Sequence, residues 1–111
     1  MAKLEATLHG NFSAILNAID TAVLEGSFTA SLEDESHFQS SSGRCVLRVY
    51  ERYSALGGNR VSMNVTLIGE GQNLFLSAIT SGGSQAMFLK LNTFGEEAFL
   101  ESISEAVARY Q

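Results

Sequence analysis

The chain has 111 residues, 45% of them hydrophobic, and a formal charge of −5. That length and composition suit one α+β domain over residues 1–111 with a single core. The acidic balance disfavours nonspecific binding to nucleic acid or anionic lipid, both polyanions. The lone Cys45 excludes an intramolecular disulfide, and no apolar run approaches the ~20 residues of a membrane helix.

Met1 leads straight into alternating residues with no basic-then-apolar leader, so the expectation is a cytoplasmic protein. Leu4, Ala6 and Leu8 share one side of a half-buried first strand. Gly10 ends it and Asn11 offers an N-cap. Phe12, Ile15, Leu16, Ile19 and Val23 then recur at helical spacing, with Asn17 and Asp20 off that stripe, and Gly26 is expected as a left-handed C-terminal cap. Residues 27 to 33 alternate again, with Phe28, Ala30 and Leu32 expected inward. Glu33, Asp34 and Glu35 read as a solvated turn, and the serine-rich stretch around Ser40 as a flexible loop.

Three glycine-marked turns follow: Gly57-Gly58-Asn59, Glu70-Gly71 and Gly82-Gly83. They cut residues 44 to 91 into four strand-length pieces, the pattern of an antiparallel meander. A three-residue first loop sets Val49 beside Leu67 and Tyr53 beside Met63. Two-residue turns then set Leu67 beside Leu74 and Leu76 beside Leu89. With these choices Leu47, Val49, Val61, Met63, Val65, Leu67, Leu74, Leu76, Ala78, Met87, Leu89 and Leu91 form one apolar face, and Cys45 shares its parity as a buried thiol. A closing helix is expected from Thr93, with Thr93 and Glu96 at capping-box spacing and a stripe of Phe99, Leu100, Ile103, Val107 and Tyr110. The expected fold is α+β: a mostly antiparallel six-stranded sheet with two helices on one face, in the order β-α-β-β-β-β-β-α.

The other face carries the candidate site. Arg48, Tyr50, Arg52, Asn64, Phe75, Ser77, Ile79 and Phe88 all fall on it by this parity. A face that meets only water is mostly polar, whereas Phe75, Ile79 and Phe88 are not. Such a patch marks a protein contact, a homo-oligomer first. The alternatives are a covering segment such as the serine-rich loop, or a small apolar or acidic ligand, with Arg48 or Arg52 holding an acidic head group.

No spacing assembles a catalytic group. Cys45 has no neighbouring base in the sequence, and His9 and His37 lack paired-ligand spacing, so no metal or other cofactor is expected. Ser81-Gly82-Gly83-Ser84 precedes a strand rather than a helix and lacks the lysine of a phosphate loop. The reading is a non-enzyme.

The order strand–helix–meander–helix resembles the TATA-box-binding-protein-like or helix-grip class, whose members range from nucleic-acid binders to ligand carriers. Fold likeness alone selects none of these. The stretches Arg48-Val49-Tyr50-Glu51-Arg52-Tyr53, Gly58-Asn59-Arg60-Val61-Ser62, Ile79-Thr80-Ser81-Gly82-Gly83-Ser84-Gln85 and Asn92-Thr93-Phe94-Gly95-Glu96-Glu97 also resemble a family of small bacterial proteins of unknown function. That resemblance implies a stand-alone bacterial domain and no activity.

Overall fold

The computed structural model describes residues 1–53, 59–82 and 89–111, with backbone alone for 89–93. Its elements are β1 (Ala2–His9), α1 (Phe12–Glu25), β2 (Ser31–Ser40), β3 (Gly43–Tyr53), β4 (Arg60–Glu70), β5 (Asn73–Gly82), α2 (Leu89–Glu101) and α3 (Ser104–Tyr110). The fold is α+β, but the expected six strands and two helices are corrected. The described residues form one five-stranded antiparallel sheet, ordered β1-β5-β4-β3-β2, and three short helices.

The missing sixth strand has a topological cause. β5 pairs with β4 along one edge and with β1 along the other, from Ala2 beside Thr80 to His9 beside Asn73. A hairpin partner after Gly82 would need the edge that β1 already occupies. Leu89 and Leu91 lie instead in α2. The brief alternation that suggested a strand there is too short to separate the two structures. Gly83, Met87 and Phe88 lie outside the described residues, as do Gly57 and Gly58.

The closing helix is also in two pieces. Ser102 Oγ donates to the Phe99 carbonyl at 2.6 Å and Ser104 Oγ to that of Glu101 at 2.9 Å. Backbone N–H groups of Ser102 and Ile103 turn to carbonyls three residues back. Side-chain competition and this tighter turn divide the expected single helix. Thr93 and Glu96 fall inside α2, which starts at Leu89 rather than at the expected Thr93. Glu96 is buried: its carbonyl accepts from Thr80 Oγ1 at 3.1 Å, and its carboxylate meets the Met1 amino group at 2.9 Å.

Further corrections lie near β2. Residues 27 to 30 precede the strand, Phe28 is fully exposed, and the acidic run lies within the strand across a bulge between Leu32 and Asp34. Only Ser41 and Ser42 separate β2 from β3, so the serine-rich stretch is a tight hairpin and not a covering loop. At the next turn Gly71, with φ at +61°, adopts the left-handed conformation that glycine tolerates. The pairing there is Leu67 beside Leu76 rather than Leu74. That slip of two residues preserves parity, and Val61, Met63, Val65, Leu67, Leu74, Leu76 and Ala78 are all buried.

β3 is different: its faces are reversed. Val49 pairs with Asn64, and Tyr50 with Met63. Val46 and Tyr50 join the core, whereas Leu47 and Val49 lie on the opposite side, half-buried. Cys45 goes with them, so the expected buried thiol is half-buried on the open face. The cause is what the helix layer offers. Asn11 caps α1 by accepting from the Ala14 N–H at 2.9 Å, and α1 buries the stripe Phe12, Ile15, Leu16, Ile19 and Val23. The same helix gives Tyr50 a hydroxyl partner in Asp20 at 2.7 Å, so the ring can be buried without stranding its polar tip. Arg44 and Arg52 lie over the Phe12 and Phe99 rings, at 4.4 and 4.7 Å from their centroids. Each guanidinium thus gains a cation–π contact on the helix side of the sheet.

Candidate interaction surface

The reversal divides the eight candidate residues. Asn64, Phe75, Ser77 and Ile79 lie on the face away from the helices, as expected. Arg48, Tyr50 and Arg52 lie on the helix side instead, and Phe88 is outside the described residues.

Pairing registers turn the open face into three cross-sheet rows. The first runs Thr7, Phe75, Ile68, Cys45, Phe38 from β1 to β2. The second runs Glu5, Ser77, Thr66, Leu47, Ser36, and the third Lys3, Ile79, Asn64, Val49, Asp34. Phe38 is 67% exposed, Ile68 46%, Phe75 41% and Ile79 39%. The first row is therefore apolar across four neighbouring strands and open to solvent. Phe38, Cys45 and Ile68 also line a shallow hollow of about 230 Å³ beside Gly43 and Gly69. Beyond that row two polar pairs bond within the face, among Leu47, Val49 and Ile79: Thr66 Oγ1 donates to Asn64 Oδ1 at 3.2 Å, and the Ser62 and Ser81 hydroxyls are 2.9 Å apart. At the far end Arg60 pairs with Glu51 and, at 3.7 Å, with Glu33. Sequence reasoning missed Cys45 and Leu47 here through the parity of β3, and Phe38 because the expected second strand ends at Glu33.

On the helix side, α1, β3 and β2 are tied together by charge. Asp20 accepts from the Tyr50 hydroxyl and, at 3.3 Å, from Arg48. Arg48 also donates to Glu35 at 2.8 Å, and Glu35 faces His37 at 3.2 Å. Burial, then the hydrogen bond to Asp20, pushes the Tyr50 phenol well above its ordinary range. His37, ahead of Arg48, holds the Glu35 carboxyl below the usual carboxylate range. Arg52 takes no part in this network. It has no ion pair or hydrogen bond among the described residues, and burial draws its guanidinium downward from its ordinary value. Glu35, expected in a solvated turn, lies in β2 instead, two residues from His37 on the same strand face, and the bulge aligns that face with Arg48.

Among the described residues no three His, Cys, Asp or Glu side chains are grouped to hold a metal ion, and no helix is long and apolar enough to cross a membrane.

These features define an α+β protein with a helix-covered sheet face and an open one. The model of a family of unknown function (DUF6054) matches residues 1–111, and the chain belongs to that family. No curated protein matches it.

Proposed function

We propose that this chain is a non-catalytic interaction module that docks a protein through the open face of its sheet. The observation carrying this reading is the apolar row Phe38–Cys45–Ile68–Phe75, exposed on a face that no described helix covers. An aromatic and aliphatic strip beside self-bonded polar pairs has the anatomy of a protein interface. The main cluster of titratable groups supports the non-catalytic part. Asp20, Arg48, Glu35, His37 and Tyr50 are spent on one another in joining α1 to the sheet. The reading includes a cytoplasmic, bacterial setting, no cofactor and no nucleic-acid partner. The order strand, helix, four strands, helices supports kinship with the TATA-box-binding-protein-like or helix-grip class. No functional residue is carried over from that class.

The test is a photo-crosslinking amino acid placed at Phe75 in living cells, with Asn17 on the exposed side of α1 as control. Protein adducts at Phe75 and not at Asn17 are expected. Equal yields at both sites, or bare chain at both, would refute an interaction role.

A second reading rests on Arg52, the helix-side guanidinium with no anionic partner among the described residues. It has the chemistry to hold the carboxylate of a small apolar acid against the Phe99 ring. Native mass spectrometry of freshly purified protein tests this: retained ligand mass lost in Arg52→Gln supports carriage, and bare chain in both counts against it.

A further inference from the structure

We infer that the partner on this face is a second copy of the same chain, related by a two-fold axis that runs along β4. This rests on the interaction reading above and adds the occupant and its geometry. The face carries a knob and a matching hollow at equal offsets from its central strand. Phe75 projects from β5, one strand to one side of β4. The hollow of Phe38, Cys45 and Ile68 lies across β3, on the other side. All four residues share one cross-sheet row. A two-fold in the plane of the face and parallel to β4 exchanges β5 with β3 and β1 with β2, and keeps every row at its own height. It lays Phe75 of each copy over the hollow of the other, and Ile68 over Ile68.

Charge selects the same axis. Lys3 and Asp34 stand at opposite ends of one row, on the two edge strands, and both are exposed. The exchange of β1 with β2 brings each Lys3 over the Asp34 of the second copy, twice per pair. An axis across the strands through the middle row instead sets Ile68 over Asn64 and Phe38 over Asp34, which leaves the charges unmatched. Twisted sheets stack with their strands about 30° apart, so the axis lies within about 15° of β4.

Area supports a reversible dimer. Five strands at about 4.8 Å each, by about four rows of alternate residues, give roughly 600 Å² per copy. Two such faces bury about 1,200 Å², the lower end of a standard specific interface. One contact opposes association. Glu70 sits at the turn end of β4, on the axis, with no ion-pair partner among the described residues, and so meets its own copy. Arg60 lies at the other end of the axis but is already paired with Glu51 and Glu33.

Sedimentation equilibrium of the full chain across the micromolar range at low salt tests the geometry. The wild type should show a monomer–dimer equilibrium that Ile68→Asp abolishes with the fold intact by circular dichroism. Lys3→Asp and Asp34→Lys should each weaken the dimer about tenfold, and the double swap should restore it to within about twofold. The two residues lie on opposite edges of the same sheet, so no contact within one chain can produce that rescue. Glu70→Gln should tighten the dimer about threefold. A wild type that stays monomeric, or a swap without rescue, overturns the two-fold self-docking. The interaction reading survives either result if Phe75 still crosslinks to another protein. A dimer indifferent to Ile68→Asp overturns the self-docking too, and with no protein adduct at Phe75 the interaction reading falls with it.

Discussion

Tyr50→Phe isolates the feature on which the assignment of faces depends. The substitution keeps the ring that fills the core between α1 and β4 and deletes only the hydroxyl that donates to Asp20 at 2.7 Å. Hydrogen bonds to charged groups contribute about 1.5–3 kcal/mol net. The lower end applies here, because the Asp20 side chain is 29% exposed and keeps Arg48 as a donor, so water and guanidinium offset part of the loss. A destabilisation of about 1.5 kcal/mol is expected. For 111 residues it corresponds to a fall in Tm of about 6 °C. The assay is urea unfolding followed by circular dichroism, at a protein concentration low enough to keep the chain monomeric. The slope should be unchanged and the midpoint lower. Tyr53→Phe is the control, since that side chain lies on the open face and is 52% exposed; its effect should be within 0.5 kcal/mol. A neutral Tyr50→Phe beside a destabilising Tyr53→Phe would mean that β3 presents its odd-numbered side chains to the helices, and would refute the reasoning.

Glycines at one turn should separate strain from collision. Gly71→Ala adds a methyl that meets nothing within 4 Å, so only the left-handed φ of +61° is penalised, by about 1 kcal/mol of unfolding free energy. Gly69→Ala drives the methyl into the Asn73 carbonyl and to 2.7 Å from a Leu74 methyl, and should cost about 3 kcal/mol or prevent folding. In acid, the lowered Glu35 carboxyl binds its proton less readily in the folded chain than in the unfolded one. Stability should therefore decline as pH falls below about 4.3, through the lower folded value, and Glu35→Gln should flatten that limb in urea titrations at stepped pH. In alkali the sign reverses. The raised Tyr50 phenol keeps its proton in the folded chain, so stability should fall as pH rises beyond about 10, a loss that Tyr50→Phe removes. Ultraviolet phenolate absorbance of the native wild type and of Tyr50→Phe should then coincide until unfolding begins.

Strong periodicity made much of the fold legible from the residues. The α1 stripe, its Asn11 cap and the alternation of β4 and β5 each reflect one-sided burial, and each appears where expected. β3 misled because both of its parities look plausible. Leu47 and Val49 read as core, while Val46 and Tyr50 alternate with three arginines. Choosing between them needs Asp20, on an element that lies apart in sequence and whose offset from the apolar stripe is one residue. Half of the candidate surface, Asn64, Phe75, Ser77 and Ile79, was accessible through β4 and β5. Arg48, Tyr50 and Arg52 were not, because turn length alone sets the register across a loop. The sixth strand failed for a nonlocal reason: nothing near Leu89 records that β1 returns from the other end of the chain.

That return has a consequence for how the protein is made. The amino-terminal segment is synthesised first but finds its lateral neighbour only when residues 73–82 have left the ribosome. Until then Leu4, Ala6 and Leu8 have no strand beside them, although α1 can already meet β3 through Asp20, Arg48 and Tyr50. Order of synthesis and order of pairing therefore run opposite ways for β1, and the nascent chain must carry residues 2–9 as an unpaired arm. Fragments ending before β5 should accumulate with that arm open to proteases, whereas a circularly permuted chain beginning at β2 would present the meander first and let the arm close last.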